Sequence, residues 1–115
     1  MANLKRNAIE LVKKVEQGGI ETEVYLTPAF LPISMLYEAM DVSDKLDTDE
    51  KLTEKQRFSE MMNFVVNLYE NQFTLKELES GLHSPTAIEV LREQIMFAAN
   101  GVQSDETKKL MAKKR

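Results

Sequence analysis

"LKRNAIELVKKVEQGGIETEVYL", Leu4 to Leu26, sets the architecture of the N-terminal quarter of the chain. In its first half, Ala8, Leu11, Val12 and Val15 follow helical spacing with Lys and Glu between them, which predicts an amphipathic helix over Leu4–Gln17 that stops at Gly18-Gly19. In its second half, Ile20 to Leu26 alternates apolar and polar residues and carries the β-branched or aromatic Ile20, Val24 and Tyr25. That pattern predicts a short strand or an extended arm.

Beyond Leu26 the segment "TPAFLP" interrupts regular structure, because Pro28 and Pro32 each fix their own φ and push the preceding residue away from the helical region. Pro32 can open the next helix, whose buried face is expected from Ile33, Leu36, Tyr37, Met40 and Val42, with an end near Leu46. "DVSDKLDTDEK" follows, acidic and without an aromatic residue, and reads as a solvated loop. Its carboxylates lack the glycine and the terminal Glu spacing of a calcium loop.

Thr53-Glu54-Lys55-Gln56 has the form of a capping box and starts the most apolar helix, which runs to about Glu70. Phe58, Met61, Met62, Phe64, Val65, Val66, Leu68 and Tyr69 cover more than one stripe of it, so it is expected to be central or to meet a partner on a second face. "NQFTLKELESGL", Asn71 to Leu82, supplies a second capping box at Thr74–Glu77. Phe73 and Leu78 stand at staple positions, which places Phe73 in the core, and Gly81 reads as a left-handed stop. Ser84 as cap and Pro85 in the first turn then open a helix whose expected buried face is Ile88, Leu91, Ile95 and Met96 or Ala98, ending near Asn100-Gly101. Residues 103–115 are polar, end basic and read as a flexible tail behind a domain of residues 1–102.

A chain of 115 residues fits one domain with its own core. Without cysteine, neither a disulfide nor a thiolate zinc site can staple it. The net charge of -4 repels nucleic acid, and no apolar run reaches the roughly 18 residues of a membrane helix. The opening residues lack the apolar core of a secretion signal, so the expected location is the cytoplasm.

Catalysis finds few candidates. His83 is the single histidine and sits in a turn beside Ser84-Pro85 without a Cys or second His, and the four glycines fall at predicted helix ends rather than in a phosphate loop. No catalytic residue, cofactor or metal is expected. The seven methionines have two readings. They fill core gaps, or they join Phe58, Val65 and Tyr69 in an adaptable partner surface built from Met35, Met40, Met61, Met62 and Met96. The pair of helices around Thr74–Ser80 and Ser84–Asn100 also has the outline of a DNA-reading motif. Its second helix offers Glu89, Arg92 and Glu93 near its start, and the basic cluster Lys108 to Arg115 lies off that helix, which disfavours nucleic acid.

Taken together, "VYLTPAFLP", an acidic linker, and an apolar helix ending in "NLYENQFTLKELESGL" resemble the small tail assembly chaperones of long-tailed, siphovirus-type bacteriophages or prophages of Gram-positive bacteria. The match covers Glu23 to Asn100 and is closest at Asn71, Gln72, Phe73, Thr74, Gly81 and Leu82. Members often begin directly with a strand pair, where a helix is expected here. The resemblance implies a non-catalytic protein of the host bacterial cytoplasm that binds the tape measure protein and tail tube subunits during tail morphogenesis. It also implies self-association and, in many members, a longer form made by ribosomal frameshifting. The Lys113-Lys114 pair is what an A-rich slippery codon run would encode.

The expected fold is therefore mainly α, a single small domain of four to five helices with at most a short strand near residues 20–26. A tail chaperone is the first functional reading and a small helical DNA-binding regulator the alternative.

Overall fold

The computed structural model describes residues 4–114, with the side chains of Lys113 and Lys114 outside that description. The basic end on which the frameshift reading rests therefore lies outside the described side chains. The elements are β1 (Ala8–Glu16), β2 (Gly19–Leu26), α1 (Ile33–Thr48), α2 (Glu54–Leu68), α3 (Leu75–Gly81), α4 (Ala87–Asn100) and α5 (Asp105–Lys114), with a 3₁₀ turn at Ser84–Thr86. The chain is mainly α with one small two-stranded antiparallel sheet.

The helix expected over Leu4–Gln17 is instead β1, paired with β2 across the turn Gln17-Gly18, with Gly19 at φ 138°. A β-bulge explains why the strand looks helical. Val12 faces Thr22, Lys14 faces Glu21 and Val15 faces Ile20, so Lys13 is an extra residue. The insertion puts Val12 and Val15, three apart, on one face of the sheet and breaks the period of two. Ile9 and Leu11, on the opposite face, point into the core.

Both capping boxes form. Thr53 Oγ1 accepts from the Gln56 N–H at 3.1 Å while Gln56 Oε1 accepts from the Thr53 N–H at 2.8 Å. Thr74 and Glu77 repeat the exchange at 3.1 and 2.9 Å. Phe73 and Leu78 are both buried in the core, and the Phe73 ring meets Tyr25 edge-on at 5.0 Å.

Several boundaries differ from expectation. The acidic stretch is helical up to Thr48, where α1 ends, and only residues 49–51 turn away from it; Arg57 closes that end, its guanidinium donating to the Leu46 and Asp49 oxygens. Gly81 is not a left-handed stop. It ends α3 where a Cβ would lie 2.9 Å from Leu11 Cβ and 3.2 Å from the Val12 oxygen, so its lack of a side chain lets α3 press on β1. The left-handed residues are Glu70 and Asn71 after α2, and Gly101 after α4. Ser84 makes no side-chain cap and Pro85 sits in the 3₁₀ turn, so α4 begins at Ala87. The expected polar tail carries α5, which packs against β1.

The core is shared by the sheet and α1 to α4, with Phe64, Val65, Leu68, Tyr69 and Leu91 at its centre. A buried polar network ties its two ends together. Gln94 Oε1 accepts from Asn7 Nδ2 at 2.8 Å and from the Tyr69 hydroxyl at 2.5 Å, and Gln94 Nε2 donates to the Ala8 oxygen at 3.0 Å. Gln103 Nε2 donates to Asn7 Oδ1 at 3.0 Å, and Thr27 exchanges hydrogen bonds with Asn7 at the base of the hairpin. No buried side-chain polar atom among the described residues is left without a partner. Nothing in the periodicity of α4 announces this network, because Gln94 occupies a core position as a polar residue.

Candidate partner-binding surface

α1 has two apolar seams. Met35, Ala39, Val42 and Leu46 stand at i, i+4, i+7 and i+11, and this seam faces the core, with Ala39 fully buried between the helices. Ile33, Tyr37 and Met40, expected to be buried, lie on the other seam and are 65, 56 and 52% exposed. Phe30, in the connection before α1, is 65% exposed. The first seam stays apolar along the whole helix, whereas the second reaches Asp44 and Asp47, and that continuity decides which one the core takes.

The second seam adjoins a groove between α1, α2 and α4. Met40, Ser43 and Asp47 share one side of α1 by helical spacing, and Ser43 and Asp47 belong to the groove wall. The groove has a volume of about 440 Å³, with Leu46, Phe58, Met61, Ile88, Ile95 and Met96 as its apolar lining and Arg57 and Arg92 among its polar groups. Ile88, expected in the core, is exposed there, and so is Met96, while Ala98, the other residue expected at that buried position, packs against the core.

The sequence-derived partner residues are therefore split. Met61, Val65 and Tyr69 are consumed by the core, since α2 is enclosed by α1, α3 and α4. Burial pushes the Tyr69 hydroxyl well above the ordinary tyrosine range, with the Glu93 charge adding to the effect. Met35, Phe58 and Met62 are half-buried against the core, and Phe58 and Met61 contribute to the groove. Met40 and Met96 are the exposed surface residues among them. Ile33 and Tyr37 continue the surface along α1, and they escaped sequence reasoning because a seam that looks buried and a seam that is unoccupied have the same period.

Elsewhere the surface offers less. His83 is exposed at the rim of a recess of about 640 Å³ between β1, α4 and α5, which also gathers Glu10, Glu89, Glu93 and Glu106. No group of acidic or histidine residues among the described residues is arranged to hold a metal ion. The exposed side of α4 presents Ile88, Glu89, Arg92 and Met96, without the basic excess that a DNA-reading helix needs. No helix among the described residues is long and apolar enough to cross a membrane.

No solved structure and no curated protein sequence matches the chain. The family model described as phage tail chaperone protein matches residues 3–115, nearly the whole length. The chain belongs to the phage tail chaperone family.

Proposed function

We propose that this tail chaperone holds the tape measure protein, and through it the tail tube subunits, in the host cytoplasm while the tail is built. The action is binding without catalysis. The observation that carries the reading is the exposed seam of α1. Ile33, Tyr37 and Met40 are left half or more exposed by a domain that has already filled its core. Exposed apolar residues gathered on one face are a feature of interaction sites. Covering each of the three recovers roughly 1 kcal/mol, about half of the value for full burial of such a side chain.

Co-expression with the tape measure protein of the same genome tests the reading. The expected result is more soluble tape measure protein and its recovery in complex with the chaperone. Unchanged solubility with no co-purification sinks it. The same preparation, probed for tail tube protein and for a longer, frameshifted form of the chain, tests the remaining partners implied by the family resemblance.

A further inference from the structure

The exposed seam of α1 does not end at Met40. Ile33, Tyr37, Met40, Asp44 and Asp47 follow one another at spacings of four, three, four and three, the a/d rhythm of a helix-pairing surface. Its first three positions are apolar and its last two are carboxylates, all exposed. Asp41 adds a third exposed carboxylate beside them. Among the described residues no lysine or arginine forms a salt bridge with Asp41, Asp44 or Asp47, and the single lysine of α1, Lys45, is turned to Glu60 at 2.9 Å. Asp47 shares the groove wall with Arg57, whose guanidinium is taken up by the Leu46 and Asp49 oxygens, and with Arg92, and it forms a salt bridge with neither.

We infer that this strip docks an amphipathic helix of the client whose own seam is apolar over one half and carries lysine or arginine over the other. The inference rests on the reading of the chain as a holder of a client protein. A two-heptad seam is about 21 Å long, which matches a partner helix of about 15 to 18 residues. A second copy of α1 does not satisfy it. In full antiparallel overlap the carboxylates of one copy face the apolar half of the other without a cation, and in parallel overlap they face each other.

Three synthetic 18-residue helical peptides with one apolar half-seam test the inference on the full chain. One carries Lys in the C-terminal half of the seam, one carries Lys in the N-terminal half, and one carries Glu in place of Lys. By fluorescence anisotropy, the better Lys peptide is expected to bind about tenfold tighter than the Glu peptide at low salt, as two or three exposed ion pairs supply. Near 1 M salt, where the screening length is about 3 Å, the difference is expected to vanish. The double variant Asp44→Asn, Asp47→Asn is expected to lower the ratio to about twofold or less while its circular dichroism is unchanged. Equal binding of all three peptides, or discrimination that survives in the double variant, overturns the inference. So does a dimer, seen by sedimentation velocity, that Tyr37→Ser dissociates. If the double variant recovers tape measure protein as the unaltered chain does, the inference falls and the chaperone reading stands. If the unaltered chain recovers none, the chaperone reading falls whatever the peptides show.

Discussion

Gly81 and Tyr69 show how single positions hold this fold. Helix propensity alone favours alanine over glycine by about 1 kcal/mol. At Gly81, however, an added Cβ meets Leu11 Cβ at 2.9 Å, and neither Leu11 Cβ nor the Val12 backbone can swing aside. Gly81→Ala is therefore expected to lose about 1 to 2 kcal/mol in urea unfolding, since overpacking of this kind costs more than propensity returns. Tyr69 holds its proton more tightly folded than unfolded, because burial disfavours the phenolate. Its contribution is then fully present below the ordinary tyrosine pKa and lost as pH rises above about 10 toward the higher folded value. Tyr69→Phe is expected to flatten the alkaline limb of the stability profile. At neutral pH it is expected to cost about 1 kcal/mol, as Gln94 Oε1 keeps Asn7 as a donor.

At the scale of elements, the two capping boxes fix where α2 and α3 begin, and both were legible because a cap is a local contact between residues three apart. Thr74→Ala is expected to cost about 1 kcal/mol, with the first amides of α3 losing hydrogen-exchange protection before those of α2. The hairpin was not legible as such. One inserted residue, Lys13, gives Val12 and Val15 a helical spacing, and the pairing that reveals the strand lies in a different segment. α1 was legible as a helix but not in its orientation, since choosing between its seams requires following each of them to Leu46 or Asp47. α5 carries too few apolar residues to announce itself, and it is placed by β1 and by Thr107, whose hydroxyl meets Glu93. The candidate surface was legible only at Met40 and Met96, because exposure belongs to the packing of several elements and not to the period of one.

For the whole molecule, the exposed strip and the core are separable. Ile33 and Tyr37 lie outside the core, so the double variant Ile33→Ser, Tyr37→Ser is expected to shift Tm by no more than about 4 °C, the scale set by surface substitutions in a domain of this size. The same variant is expected to recover much less tape measure protein on co-expression, which separates loss of a docking surface from loss of the fold. Variants of Val65 or Leu68, both fully buried, are expected to do the reverse and lower Tm together with every binding readout.

The network joining Asn7 to Gln94 and Gln103 bears on how the chain is made. Those partners lie 87 and 96 positions apart. At a synthesis rate of roughly 5 to 20 residues per second, about 5 to 20 s pass between the appearance of Asn7 and that of Gln103. The strand pair made first is thus secured last, and contacts of such long range slow the final closure. Until Leu75–Gly81 is made, Leu11, buried in the finished domain, has no α3 to cover it. A nascent chain of this protein thus carries, for several seconds, uncovered apolar side chains that the finished domain hides.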